Sequence, residues 1–595
     1  IQSRKHRVLK SPNSIPKSKY WLLIGFVLFV HGVLAYRFFQ VQIVDFDLYR
    51  QRAESNRIRA TSIHAPRGLI VDRNGEIIVG NYPTYILYGI GSEITNMTHN
   101  YEVISNSRGI DTAILKMNYK NYYRNRFIPT RIAKDLTINQ LSRIEENKNK
   151  LSGIIYKQFP ERIYNNKINA SHVLGYVKEI DQKAMQRMGA TVNYEYGDLV
   201  GWSGIENSYE STLRGEKGVS YYQVDAFGRE AGKIERQENI LPYPGNNIST
   251  TLDVSLQQLL EKELNGKRGV GIVSRPKTGE ILAYVSAPDY KPDLFTGLIS
   301  NSDWQSVIAD TNRPLLDRVA NGTYPPGSIF KMVVAIALLE KNLITTQTEV
   351  FCTGSYEFYD RAFGCWNENG HGKVNLEQAI VQSCDVYFYQ AIQKIKLDEL
   401  AQVAKQFGIG LITHIDLPTE MKGLMPTRQF MNKLHGRWGW SKGALLNMAI
   451  GQGEILVTPL QMVRYINMLA TKGKTRTLHI VKEKGDEIPE PIVSNRSWEL
   501  MHKYMGKVVS APKGTGRRSN PKIPGLKIYG KTGTAENSHG EPHAWYIAYG
   551  ELNGEIISVV IMVENGGHGG EVATPYARKV FKLYFGSDRA TLAKI

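Results

Sequence analysis

What this chain lacks after residue 44 is a second apolar run of membrane length. Of its 595 residues, no later stretch reaches the ~18 consecutive apolar residues that a bilayer-spanning helix needs. That excludes a multi-pass architecture. No zinc-finger, RRM or helix-turn-helix pattern occurs, so nothing directs the basic surplus towards nucleic acid. The surplus is 74 Lys and Arg against 56 Asp and Glu, a formal +18, and it also suits an anionic membrane or an anionic wall polymer. Internal repeats and low-complexity segments are absent as well. With 42% hydrophobic residues, the chain has enough apolar material for a large core, which excludes wholesale disorder.

The one long apolar run comes first. Tyr20 to Tyr36 is interrupted only by His31. With its flank to Val44, and Arg37 able to snorkel, it is long enough to cross a hydrocarbon layer of about 30 Å. Arg4, Lys5, Arg7, Lys10, Lys17 and Lys19 precede it with no acidic residue among them. Loop charge bias therefore places residues 1–19 in the cytoplasm and everything beyond 44 outside. Arg37-Phe38-Phe39 follows the run where a small-residue cleavage site would stand, so a retained single-pass anchor over 20–44 is expected.

Asp45 to Ala60 is polar. Pro66-Arg67-Gly68 and Arg73-Asn74-Gly75 bracket a short apolar strand, and Glu76 to Val79 after the Asn-Gly pair predicts a hairpin. Ile110 to Ile154 reads as helical and charged, with Leu136, Leu141 and Ile144 at helix-compatible positions. Gly201 to Gly215 is glycine-rich, and strand-like segments run from Val219 to Leu252. Residues 45–250 are read as one mixed, non-catalytic module. From 251 onward the pattern changes. Gly269–Val273 and Gly279–Val285 predict a hairpin around Pro276-Lys277-Thr278; Phe330–Leu339 and Leu376–Ile392 predict helices; Ala544–Leu552 and Glu555–Glu564 predict strands about an Asn553-Gly554 turn. Strands, then helices, then strands give an α+β class, one antiparallel sheet with helices packed on it.

Three short motifs carry the chemistry. In the first, Pro325-Pro326-Gly327 ends the preceding element and Ser328 falls in the first turn of the helix that follows. Lys331 lies three residues on, on the same face, where a lysine in an apolar, dipole-positive setting can serve as base to the hydroxyl. In the second, Ser383-Cys384-Asp385, Ser383 can relay a proton, and Asp385 can hold either a substrate amide or a lysine. In the third, Lys531-Thr532-Gly533-Thr534 follows a strand-like segment: Lys531 and the hydroxyls suit a substrate carboxylate, Gly533 permits close backbone approach, and the Thr534 N–H suits an oxyanion. Singly each motif is weak. In this order the three form the set shared by penicillin-binding proteins and class A β-lactamases.

The chain resembles a class B penicillin-binding protein over nearly its whole length. The resemblance extends to Arg67-Gly68 with Asp72-Arg73-Asn74-Gly75, Gly201 to Gly218, Ile450 to Gly453 with Thr458 to Gln461, and Val563 to Gly567. No separate glycosyltransferase module is evident, which argues against class A. Gly370-His371-Gly372 followed by Ser383-Cys384-Asp385 is most similar to the elongation-specific subgroup, where Asp385 departs from the commoner asparagine. The resemblance implies a transpeptidase domain over 251–595 and a pedestal or dimerisation-type domain with a head insertion before it. It further implies a bacterial inner-membrane location with the catalytic domain in the periplasm, cross-linking of peptidoglycan stem peptides through an acyl-serine, inhibition by β-lactams, and work beside a RodA-like SEDS glycosyltransferase and other elongation proteins. The competing readings are a β-lactam hydrolase, a membrane β-lactam sensor and an inactive wall scaffold.

Cys352, Cys365 and Cys384 are the only cysteines, and His371 lies among them. The spacing C-x12-C-x5-H-x12-C supplies the four ligands of a structural tetrahedral zinc. A Cys352–Cys365 disulfide formed in an oxidising compartment is the alternative, as are three unlinked thiols.

Overall fold

A computed structural model describes residues 17–50, 58–109, 111–165, 167–180, 182–188, 194–195, 197–224, 230–233, 238–296, 301–437, 439–482 and 485–586. Arg4, Lys5, Arg7 and Lys10 of the basic leader lie outside them. Contacts divide the chain into two compact units. The first comprises 1–64, 84–159 and 217–243; the second comprises 65–83, 160–216 and 244–595.

In the first unit a helix of Lys17–Phe39 continues as a π-helical turn to Val44. Over Ser18–Val44 its mean hydropathy is 2.0 and none of its most apolar window is buried. Such a surface is costly in water, since each exposed apolar Å² forgoes roughly 25 cal/mol. Further on, the strand Ile58–Ile63 pairs antiparallel with Gly218–Val224. A small core gathers Leu87, Tyr101, Ile104, Leu115, Ile132 and Ile144. The segment read as continuous helix is broken here: Thr130–Leu136 is a strand, and helices flank it at Thr112–Tyr122 and Ile138–Glu146. Leu136 is its last strand residue, and Thr137 then caps the next helix with a capping box to Gln140.

The largest sheet of the second unit has five strands. The elements that build and flank it around the site are α1 (Val254–Leu264), β1 (Gly269–Ser274), β2 (Ile281–Ala287), α2 (Lys331–Glu340), α3 (Leu376–Val381), α4 (Asp385–Ile392), α5 (Pro459–Thr471), α6 (Asn495–Ser510), β3 (Lys527–Ala535), β4 (His543–Leu552), β5 (Glu555–Val563) and α7 (Gly569–Phe585). The strand order is β2-β1-β5-β4-β3, antiparallel throughout. Side chains alternate faces with period two. Trp545, Ile547 and Tyr549 of β4 face the core shared with α2, α5 and α6, while Ala544, Tyr546 and Ala548 face α1 and α7. Both faces are therefore buried, and the antiparallel sheet with helices packed on it is the α+β arrangement expected. The β4–β5 turn has Asn553 at φ +51° and Gly554 at φ +82°, the primed hairpin geometry the Asn-Gly pair predicts.

A second helix expectation is corrected. Leu376–Ile392 is not continuous, because α3 ends at Val381 and α4 starts at Asp385. Ser383 stands between them at φ +57°, a left-handed conformation that interrupts a right-handed helix.

Candidate active site

The Ser328 motif is held by close backbone approach. Residues Gly327–Phe330 make a 3-10 turn that runs directly into α2. Gly327 sits at φ +59°, and a Cβ there would meet the Thr534 carbonyl oxygen at 2.6 Å. Its N–H donates to the Gly451 carbonyl at 2.9 Å. Gly451 is at φ +74°, and its own Cβ would meet the Gly327 oxygen at 2.2 Å. Two glycines thus let the turn, the 451 loop and edge strand β3 touch through backbone. The Trp545 indole N–H, donating to the Pro325 carbonyl at 3.1 Å, fixes the turn from the sheet side.

Ser328 is half-buried, and among the described residues its hydroxyl has no hydrogen-bond partner. Lys331, at the start of α2, is fully buried, as are all the residues after it to Leu338. Its Nζ donates to Asp385 Oδ1 at 2.7 Å, the Ser383 carbonyl at 2.9 Å and Ser383 Oγ at 3.3 Å. The expected contact with Ser328 is not formed in this resting arrangement, as is common before substrate tightens a site.

Lys531 on β3 is also fully buried. Its Nζ donates to Ser383 Oγ at 2.8 Å and to the Thr532 carbonyl at 2.9 Å. Burial pushes this amine well below the ordinary lysine range, and the charge of Lys331 pushes it further. Two ammonium groups with one carboxylate leave a surplus positive charge out of water, and losing a proton relieves it. Ser383 Oγ lies between both lysines, 3.3 Å from one amine and 2.8 Å from the other.

The remaining motif residues fall around this centre. Asp385 takes the lysine-holding option of its two: Oδ1 faces Lys331, and Oδ2 accepts the Trp366 backbone N–H at 3.1 Å. Thr532 is buried, with its Oγ1 2.7 Å from Thr515 Oγ1. A Cβ at Gly533 would meet Ile329 Cγ2 and Trp545 Cβ, each at 3.0 Å. Thr534 is half-buried on the edge strand beside the Ser328 turn. Sequence reading missed Trp366, whose indole N–H also caps the Gln382 carbonyl at 3.0 Å, and Thr515. Neither belongs to a motif, and only the Gly514-Thr515-Gly516 turn pattern hinted at the second.

The three cysteines and His371 converge. Their ligand atoms all lie within 4.8 Å of one another, and no two sulfurs are bonded. His371 Nδ1 is 3.6 Å from Cys352 Sγ and 3.5 Å from Cys365 Sγ. Cys365 is pulled down, first by the hydrogen bond from Cys384, which is itself pushed up by that bond. The Asp385 N–H donates to Cys365 Sγ at 3.4 Å, so this cluster abuts the lysine centre.

Comparison with known proteins gives a consistent result. Residues 269–582 match the penicillin binding protein transpeptidase domain family, and residues 62–250 match the penicillin-binding protein dimerisation domain family. The chain is 31% identical over 592 residues to the peptidoglycan D,D-transpeptidase MrdA of Haemophilus influenzae, covering 94% of this chain and 90% of that protein. In structure it is similar to PBP2 of Helicobacter pylori, solved in complex with MreC (TM-score 0.78, 28% identity, 89% of this chain and 100% of that one). It is similar also to a chain solved in a study of polymerization and crosslinking by a peptidoglycan synthase complex (TM-score 0.71, 28% identity, 96% and 98%).

Proposed function

Because the chain belongs to the penicillin-binding protein transpeptidases, we propose that Ser328 is its acyl-accepting nucleophile and that Lys331, Ser383 and Lys531 manage the proton. The chain is a peptidoglycan D,D-transpeptidase that cross-links stem peptides during cell elongation. The observation that carries the residue assignment is the convergence of two fully buried lysines on Ser383 Oγ, beside the turn that presents Ser328. Ser328 Oγ attacks the penultimate D-alanyl carbonyl, and its proton passes to the lysine–serine network. The terminal D-alanine leaves with a proton returned by Ser383. An acceptor amine then attacks the acyl-serine, loses its proton to the same network and restores the hydroxyl. The N–H groups of Ser328 and Thr534 suit the developing oxyanion, and the Thr532 and Thr534 hydroxyls suit the substrate carboxylate. The fully buried Lys531 supports Ser383 more directly than it supports that carboxylate.

The anchor and partners belong to the same reading. Helix Ser18–Val44 spans the membrane, and the transpeptidase lies outside it. Protease added to spheroplasts is expected to degrade all antigen beyond about residue 44; a protected C-terminal domain would overturn this topology. The synthase-complex relative supports a membrane polymerase partner of the RodA-like SEDS kind, and the MreC complex supports a second elongation partner.

A structural zinc at Cys352, Cys365, His371 and Cys384 completes the reading. Three sulfurs and one imidazole form a donor set that tetrahedral zinc takes, and usual bond lengths imply nitrogen–sulfur separations of about 3.6 Å, against 3.6 and 3.5 Å here. When bound, the ion would tie Cys352 and Cys365 to the Ser383 turn, with no part in the chemistry. Protein purified without chelator is expected to hold about one zinc per chain. Cys365→Ser is expected to lower melting by about 5 °C or more and to slow acylation. Metal-free protein with a Cys352–Cys365 disulfide would refute the site.

A further inference from the structure

Between Glu499 and Glu536 the chain carries eight Lys and Arg and no acidic residue. Part of this charge is neutralised, since Lys503 and Lys507 both reach Glu377. The loop after α6 differs. Lys513, Arg517, Arg518 and Lys522 are exposed, and among the described residues none has an acidic partner; Arg517 donates only to the Pro512 carbonyl, at 3.0 Å. The loop is nonetheless fixed. Thr515 Oγ1 meets Thr532 Oγ1, the Gly516 N–H donates to the Val508 carbonyl at 2.9 Å, and Ser519 Oγ lies 2.6 Å from Tyr546 OH. The backbone that carries its cations is therefore held beside the Lys531–Thr534 strand. A recess of about 310 Å³ adjoins it, between Glu377–Gln382 of the segment leading into Ser383 and Lys507–Ala511 leading into the loop.

Like charges crowded on a fixed loop repel, and an anion that bridges them relieves the repulsion. We propose that Lys513, Arg517 and Arg518 form a carboxylate-binding rim that holds the stem peptide beyond its reacting D-alanyl end. This rests on the transpeptidase reading. A stem peptide linked through side-chain amides leaves free α-carboxylates along its length, and those carboxylates are the ligand the rim fits. Arg517 and Arg518 can each grip one bidentately, while Lys513 adds a point charge. Lys513, Arg517 and Arg518 are thus specificity-determining residues for the donor or acceptor stem, with no part in the acyl chemistry.

The test compares two soluble pentapeptides ending in D-alanyl-D-alanine, one with its internal carboxylates free and one with them amidated. D-alanine release is read for the full chain and for Lys513→Gln/Arg517→Gln/Arg518→Gln, with melting checked for each. The full chain is expected to prefer the acid form about five- to tenfold, as three exposed charge pairs would give, and the preference is expected to shrink in concentrated salt. In the triple variant the ratio is expected to fall close to one. An equal ratio in both proteins, a full chain indifferent to amidation, or a variant that slows both peptides alike would overturn the rim. Failure of benzylpenicillin to acylate the unmodified chain would instead remove the transpeptidase reading, and the rim with it.

Discussion

Ser328→Ala is expected to abolish acylation by benzylpenicillin, lowering the rate by about 10⁴-fold or more, the scale on which loss of a nucleophile acts. The serine hydroxyl is half-buried and, among the described residues, unbonded, so its removal strands no partner. Melting should therefore stay within about 0.5 kcal/mol of the parent, as for substitutions away from buried networks. Intact mass after incubation with the drug reads the first effect and a denaturant series reads the second. An undiminished adduct in the variant would place the nucleophile elsewhere. A parent adduct that turns over rapidly would favour a β-lactam hydrolase.

The second large effect belongs to the buried lysines. Lys331→Met removes a fully buried ammonium and leaves the buried Asp385 Oδ1 without its cationic partner. Breaking such a pair from one side costs about 3–5 kcal/mol, and losing the base is expected to slow acylation by about 10²–10⁴-fold. Adding Asp385→Asn should recover most of the stability but none of the rate. That separation distinguishes a proton-managing pair from a merely structural one, and a double variant as unstable as the single would contradict it.

Lys531 supplies the pH dependence. Burial, then Lys331, lowers its affinity for a proton in the folded state. Below its depressed folded value the lysine is charged in both states, and the cost of burying it is fully present. As pH rises from there towards the unfolded value, about 10.4, the unfolded chain holds more protons than the folded one, so stability rises with pH. Acylation should rise over the same window as the network gains a lone pair. Lys531→Met is expected to flatten the stability profile below the ordinary lysine range; an unchanged profile would mean that Lys531 is not the group responsible.

Much of this was legible in the chain itself. The Asn553-Gly554 turn, the β1–β2 hairpin, the apolar run of α2 and the membrane-length N-terminal helix are local: turn chemistry and periodicity depend on residues a few positions apart, and those are adjacent in the sequence. The three motifs could also be recognised by residue type and order. What tertiary structure decided is longer in range. Nothing local says that Ser383 adopts a left-handed φ and splits one expected helix into α3 and α4; that break brings its hydroxyl to amines from residues 331 and 531, which lie 200 positions apart in the chain. Asp385 was open between amide and lysine until burial placed Lys331 2.7 Å away. Likewise, segments 65–83 and 160–216 join the compact unit of the catalytic sheet although they precede it in the chain. Such contacts are chosen by the global minimum of burial and hydrogen bonding, which no short window of sequence contains.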